Sequence, residues 1–486
     1  MNSRKFYAKK RSIIVKICLS LAILFCGCGK HEAALTDGMA TDTVSLESNV
    51  SNNGMQSDGT LPLDGILLQN GDLLPDGGLS SNAVSPDGTL PGNKQRDNGT
   101  ADSSLMDTEP TNKTESMQDS DVAGKTSERE NTDAAQEYTI VMVGDVLLHT
   151  PVEESCRQAD GSYDYNPLFA NTKDKISAAD LALVNQEVII GGADLGITGY
   201  PSFNADFSLC DSLVDAGFDI ICHATNHAMD KGRKGLVNCA KYWGENYPQI
   251  TVLGIHDTAD TSTSCGAEPE ILDLPDMKIA VLNYTYGTNG IPLPDDMPYA
   301  VDLLEEEQVA ADIRRAEKLA DFTIVCPHWG TEYRLTPDAS QEKWTQIFAE
   351  NGADLVLGTH PHVIEPIEWV TDPESGHEML VYYSLGNFVN WTSGTGEGTA
   401  NRMVGGMAEV TLAKKEDGEV EIMDYGVQPL VSHVTTGPGG VTTYFLQEYS
   451  EALAGENEII SQDPEFSYGY CIDLCDSVWG DLWRTE

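Results

Sequence analysis

Asn351-Gly352-Ala353-Asp354-Leu355-Val356-Leu357-Gly358-Thr359-His360-Pro361-His362 contains, in order, a glycine stop, a short apolar strand and a polar cluster. In the segment before it, Ser340–Gly352, Trp344, Ile347 and Phe348 fall at helical spacing, with Gly352 where a residue just past a helix end belongs. The same grammar recurs upstream. Ala205–Gly217 places Phe207, Cys210, Leu213 and Val214 on one helical face, and the strand Phe218–Cys222 then opens into His223-Ala224-Thr225-Asn226-His227. Val309, Ile313, Ala316 and Ala320 mark a helix ending near Asp321, whose strand Phe322–Cys326 delivers Pro327-His328-Trp329-Gly330-Thr331-Glu332. Asp180–Val184 delivers Asn185-Gln186-Glu187, and the first strand, Tyr138–Val143, delivers Gly144-Asp145 and then His149. Ile279–Leu282 is a further buried strand with a poorer end, Asn283-Tyr284.

Helices alternating with near-continuous apolar strands predict a mostly parallel sheet covered on both faces, and such sheets bind ligands beyond the carboxyl ends of their strands. Six of the ten histidines lie at these ends, together with Asp, Glu and Asn. Oxygen and imidazole donors gathered from separate loops are what a dinuclear metal site requires. With no thiolate among them, the set suits Mn, Fe or Zn, as one or two divalent ions. In an extended segment, residues two apart face the same side, so His360 and His362 are expected to reach one site, stiffened by Pro361. Asn226 is a candidate oxygen ligand beside His227, which reads as a proton donor or a phosphate contact. His149 and His223, taken singly, read as hydrogen-bonded structural residues.

The rest of the chain sets limits. Across 486 residues the formal charge is −48, which disfavours phosphate-backbone recognition through a basic patch, and nucleic acid is not an expected partner. A polyanionic substrate therefore needs a local cation. Residues 1–28 read as a lipoprotein-type signal: a basic start, an apolar run Ile13–Phe25 and Cys26-Gly27-Cys28, with Cys28 the expected lipidation site. This places the remainder on the outer side of the cytoplasmic membrane. Residues 29–136 contain no Phe, Tyr or Trp up to Gln136 and are rich in Gly, Ser, Asp, Asn and Thr, the composition of a disordered acidic linker. No Cys-x-x-Cys pair occurs, and Cys222 and Cys326 read as small buried hydrophobes.

Gly144-Asp145-Val146-Leu147-Leu148, Asn185-Gln186-Glu187, Asn226-His227-Ala228-Met229-Asp230-Lys231-Gly232, His328-Trp329-Gly330-Thr331-Glu332-Tyr333, Gly358-Thr359-His360-Pro361-His362 and Tyr383-Ser384-Leu385-Gly386-Asn387-Phe388 stand in that order. Over about residues 137–432 the chain thereby resembles the CapA family of poly-γ-glutamate capsule synthesis proteins, a branch similar to calcineurin-like metallophosphoesterases. The resemblance implies an α/β fold, a four-layer α/β/β/α sandwich with a metal site at strand ends. It implies that Asp145 is the first-strand ligand, Glu187 or Asn185 the bridging position, Asn226 the amide ligand, and His328, His360 and His362 the imidazoles. The phosphoesterase opening Asp-x-His is altered, because Leu147 stands where the histidine would be; Gln186 and Thr225 also depart from the family pattern.

Asp145 and His227 are the expected catalytic pair. Glu332, Tyr333, Arg334 and Asn387 are expected to contact substrate, with Arg334 recognising an anion. Met407–Leu412 and Val420–Met423 alternate as antiparallel strands closing the second sheet, and residues 433–486 form a C-terminal extension. Two functions stay open. One is a surface-anchored, metal-dependent hydrolase acting on a phosphoester or γ-glutamyl-type bond of an envelope polymer. The other is a non-catalytic accessory that guides the polymer beside membrane capsule-synthesis proteins.

Overall fold

A computed structural model describes residues 136–391 and 394–484. The signal, Cys28 and all but the last residue of the expected linker lie outside the described residues. Among the described residues two sheets form. The first contains β1 (Glu137–Val146), β2 (Leu181–Asn185), β3 (Ile220–Cys222) and β4 (Thr251–Leu253). The second contains β5 (Glu270–Asp273), β6 (Lys278–Thr285), β7 (Phe322–His328), β8 (Leu355–Leu357), β9 (Ile367–Thr371) and β10 (Glu378–Tyr382). β11 (Asn387–Val389), β12 (Val404–Lys414), β13 (Val420–Val434) and β14 (Val441–Phe445) return to the first, whose path is β14-β13-β12-β1-β2-β3-β4 with β11 also on β1.

β1 to β4 pair in parallel and in one direction, so right-handed crossovers carry helices Lys173–Ala178, Ser208–Ala216 and Gly232–Asn246 to a single face. The period-two pattern of the second sheet shows what lies on each side of it. Ile279, Val281, Ile324, Cys326, Leu355, Leu357, Leu380 and Tyr382 join the large core of the first sheet. Their alternating neighbours Ala280, Leu282, Val325, Val356, Met379 and Val381 pack in a separate core under helices Glu306–Ala316 and Ala339–Glu350. Cys326 Sγ lies 3.9 Å from Met142 Sδ, face to face across the two sheets. The result is the four-layer α/β/β/α sandwich that the resemblance implied.

The sheets are also tied at their carboxyl ends. Asn283 Oδ1 accepts from Ala224 N (2.7 Å) while its Nδ2 donates to Cys326 O (2.8 Å). From β10 the chain crosses back to the first sheet through Tyr383–Gly386, and β11 lies in parallel register with Asp145 opposite Asn387. That return requires Gly144: a Cβ there would sit 1.9 Å from Gly386 O, the atom that accepts from Asp145 N at 2.9 Å.

Two expectations are corrected. Because β11 delivers the chain beside β1, the following antiparallel strands β12 and β13 extend the first sheet rather than close the second. The boundary at 432/433 falls inside β13, and β14 pairs with that strand's end. The C-terminal segment is therefore part of the core: Cys471, Leu474, Cys475 and Trp479 are buried, and Trp479 Nε1 donates to Glu365 O (3.0 Å). Its ring lies against Gly406 of β12, where any Cβ would meet it at 2.9 Å. No described helix is long and apolar enough to cross a membrane.

Trp479→Ala is expected to lower unfolding free energy by about 3–5 kcal/mol through the cavity and the unpaired carbonyl. Chemical denaturation of the full chain checks this, and a loss below about 1 kcal/mol would mean that the segment only lies on the surface.

Candidate metal centre

Asp145, Asn185, Glu187, Asn226, His328, His360 and His362 come together where the two sheets' carboxyl ends meet, and all are buried. β1 and β2 bring Asp145 and Asn185 side by side, with Asn185 Nδ2 donating to Asp145 Oδ1 (2.8 Å). Two residues on, Glu187 stands between the sheets. Its Oε1 is 3.7 Å from His328 Nε2, 3.6 Å from His362 Nε2 and 4.0 Å from His227 Nε2. Two groups of possible ligands result: Glu187, His328 and His360 in one, and Asp145, Glu187 and His362 in the other. Glu187 belongs to both, the position of a bridging carboxylate. Asn226 Oδ1 adds an oxygen 3.1 Å from His328 Nε2.

His360 and His362 are not extended. Both have positive φ, 100° and 59°, a left-handed conformation that costs such residues about 1–3 kcal/mol each. Tertiary bonds hold the turn: His360 N donates to Asp145 Oδ2 (3.3 Å) and Tyr333 N to Pro361 O (2.7 Å). The extended conformation expected here is thereby corrected, but both imidazoles reach the one cluster, in two candidate ligand groups that share Glu187. His362 Nδ1 faces Asp145 Oδ2 (3.1 Å) and Asn387 Oδ1 (3.2 Å), which orients the ring.

The donor chemistry fits a divalent cation. Glu187 Oε1 and Oε2, Asn185 Oδ1 and His360 Nδ1 are buried acceptor-capable atoms without a hydrogen-bond partner, an arrangement that is costly unless a cation takes them. Burial drives the Glu187 carboxyl well above its usual range, with Asp145 adding to the rise and His362 opposing it. Burial and the neighbouring imidazoles hold His328 and His360 well below 6.5, hence neutral, the form that ligates. His362 is the exception. Burial alone would lower it, but Glu187 and Asp145 outweigh that and carry it to about 9 without a metal.

Several site residues escaped sequence reasoning. Asp230, inside a quoted motif but given no role, bonds His227 Nδ1 through its Oδ2 (2.8 Å). Asn289, from the loop after β6 whose end looked poor, lies 3.4 Å from Asn226 Nδ2 and 3.5 Å from His227 Nδ1. The Tyr286 ring stands 4.7 Å from His360, and Phe203 meets His227 edge to face at 4.6 Å. Burial, reinforced by the positive charges of His362, His227 and Arg402, lowers His149 to about 4. Asn and Tyr in a loop after an apolar strand carry no short-range signal for this. Glu332, Tyr333 and Arg334 are exposed at the rim, and Arg334 donates to Thr336 Oγ1 (3.5 Å) and Pro337 O (3.4 Å) of its own loop.

Comparison with known proteins identifies the family. The model of the family of bacterial capsule synthesis proteins, PGA_cap, matches residues 139–392, and the chain belongs to that family. It is 28% identical over 257 residues to the PGA biosynthesis protein CapA of Bacillus subtilis (strain 168), covering 51% of this chain and 63% of that protein. It is 24% identical over 289 residues to the capsule biosynthesis protein CapA of Bacillus anthracis, covering 57% and 65%. The chain thus spans just under two thirds of the length of these relatives. Similar solved structures include a Mycoplasma pneumoniae phosphatase, with TM-score 0.35, 14% identity and coverage of 61% and 95%. Another is the calcineurin-like phosphoesterase YfkN of Bacillus subtilis, with TM-score 0.36, 12% identity and coverage of 61% and 91%.

If Glu187 is shared, Glu187→Gln should abolish binding of both ions, whereas His360→Ala and His362→Ala should each remove about one equivalent. Elemental analysis of the purified full chain reads this directly, and Glu187→Gln with unchanged metal content would refute the bridge.

Behind the histidine turn, Glu365 is fully buried and accepts from Gln341 Nε2 (2.5 Å); burial, opposed by that bond, raises it from 4.5 to about 8. The folded state then holds a proton that the unfolded chain releases, so this group's contribution to stability falls as pH rises from about 4.5 to about 8. Glu365→Gln is expected to flatten that part of the stability–pH curve; an unchanged slope would show Glu365 ionised in the fold.

Proposed function

We propose that the protein is a metal-dependent hydrolase of capsule or poly-γ-glutamate biosynthesis, acting on a phosphoester or γ-glutamyl-type bond of an envelope polymer or its precursor. Glu187 is the observation that carries this reading: a buried carboxylate without a hydrogen-bond partner, facing imidazoles from the ends of three separate strands. A divalent cation, Mn, Fe or Zn, would be held by Asp145, Glu187, Asn226, His328, His360 and His362. The chemistry it supplies when bound is Lewis acidity toward a phosphoryl or acyl oxygen and a lowered pKa for water.

The chain's own residues do the rest. Asp230 fixes the His227 imidazole through Nδ1, which leaves Nε2 turned toward the cluster to give a proton to a leaving group. Phe203 and Tyr286 wall the site and keep its dielectric low. Asn185 and Asn387 orient Asp145 and His362. We place the protein outside the cytoplasmic membrane, anchored through a lipid on Cys28 and working beside membrane capsule-synthesis proteins. The export and the anchor rest on the sequence of residues 1–28, and the neighbouring synthesis proteins on the family alone.

Leu147 in place of the opening motif's histidine favours a second reading, an accessory protein without catalysis. The test is kinetic. The full chain should bind metal and hydrolyse a phosphodiester or an oligo-γ-glutamate, and His360→Ala with His362→Ala should cost at least a hundredfold in kcat/KM. Asp230→Asn should lower kcat by about 10²-fold, in the range of a lost proton donor. A metal-free double variant that still restores polymer attachment in a deletion strain would establish the accessory reading instead.

A further inference from the structure

Among the described residues five large hydrophobic side chains stand exposed, and three of them, Tyr200, Tyr286 and Tyr333, ring the mouth of the metal-ligand cluster. Each comes from a different loop and meets a different histidine. Tyr200, between β2 and β3 and 73% exposed, has its ring 6.4 Å from that of His149 and 6.3 Å from that of Phe203, which in turn meets His227. Tyr286, after β6 and 48% exposed, stands 4.7 Å from His360. Tyr333, after β7 and 46% exposed, stands 6.1 Å from His362, with the Arg402 guanidinium over one face of its ring. Tyr333 is also held at φ of 67°, a strained conformation for a bulky aromatic that its packing does not require. Aromatic surface left in water on three sides of one opening marks a place where a ligand lies.

Charge decides what that ligand can be. A cation in the cluster neutralises one anion, the group being cut, but not charges on the units to either side of it. Burial weighs most on the titration of Glu187, His362, Tyr286 and Tyr333, and the Glu332 carboxylate, exposed at the rim, pushes all four upward. Negative charge therefore already stands at the mouth, on a chain whose net charge is −48, and a polymer with a carboxylate on every unit is repelled. A sugar ring suits the mouth better. Its flat face of C–H groups packs against the electron-rich face of a tyrosine ring, and its hydroxyls donate from the edge. Acceptors for them are the Glu332 carboxylate and the exposed Asn289, whose Oδ1 also accepts from the Tyr286 hydroxyl (3.5 Å).

We infer that Tyr200, Tyr286 and Tyr333 are stacking platforms for uncharged sugar rings on either side of the scissile bond, so that the substrate is a phosphodiester-linked glycan. This rests on the reading of the site as a metal-dependent hydrolase, and it selects the phosphoester of the two bonds proposed. Water then adds at phosphorus and one P–O bond breaks; the departing sugar hydroxyl takes its proton from His227, and the other sugar keeps the phosphate.

The test uses the full chain, with metal content measured for every variant. The probes are two N-acetylglucosamine units joined by a phosphodiester, two glycerols joined in the same way, and an oligo-γ-glutamate of similar length, each titrated for binding at fixed salt and followed for turnover. Wild type should bind the diglycosyl diester at least tenfold more tightly than either other probe. Tyr286→Ala should shrink the glycosyl-over-glyceryl ratio to below about threefold at unchanged metal content, and Tyr286→Phe should keep it. Tyr200→Ala, at a residue too exposed to matter for folding, should lower the ratio as well. A structural role would weaken both diesters equally and leave the ratio alone. Equal binding of the two diesters by wild type, tighter binding of the oligo-γ-glutamate, binding of no probe, or a ratio unmoved in both alanine variants overturns the inference. Tyrosine-dependent selectivity without turnover would sink the hydrolase and leave the platforms, whereas turnover of both diesters with equal kcat/KM and equal affinity would do the reverse.

Discussion

A carboxylate without a hydrogen-bond partner at the meeting of two sheets is the constraint on which the rest of this structure depends. Glu187 has no protein donor for either oxygen, and taking such a group out of water is expensive unless a positive charge replaces the lost solvation. Apart from His362, which holds a proton without a metal, its imidazole neighbours suit a metallic rather than a protonic charge. His328 and His360 are held neutral by burial, Asp145 and His362 approach from the opposite side, and Asn226 contributes an amide oxygen. Removing water and leaving donor atoms unsatisfied is how a fold pre-organises a cation site before any cation arrives.

The architecture explains why such distant residues can be assembled with this economy. β1 and β2 bring Asp145, Asn185 and Glu187 from one sheet; β7 and the turn after β8 bring the imidazoles from the other. Two sheets facing each other through a continuous apolar core place their carboxyl ends at the same height, and Asn283 pins those ends together. The crossing from β10 to β11 then threads Asn387 between Asp145 and His362, and its glycines exist because backbones touch there. Core and site are therefore one design: a shift between the sheets would pull the ligand groups apart.

Much of this was legible in the sequence, and the reasons are physical. Parallel strands buried on both faces read as apolar runs, and the polar residues ending them are conspicuous by contrast, so Asp145, Glu187, Asn226, His328, His360 and His362 could be picked out together. What stayed hidden depends on contacts between residues far apart. The left-handed turn that sends His360 and His362 to different partners is held by Asp145 and by Tyr333, neither of which is a neighbour in sequence. β11 is three residues long and reads as loop, so the return to the first sheet and the placement of β12 and β13 could not be inferred. The C-terminal helix, without a motif of its own, proved to be core because Trp479 fills the space over Gly406.

The account stands or falls on where cations bind. Crystals of the metal-loaded full chain, measured at the absorption edge of the bound element, should show two anomalous peaks flanking the Glu187 carboxylate. One should lie beside His328 and His360, the other beside Asp145 and His362. Peaks confined to other parts of the molecule, with none in coordinating reach of Glu187, would contradict it.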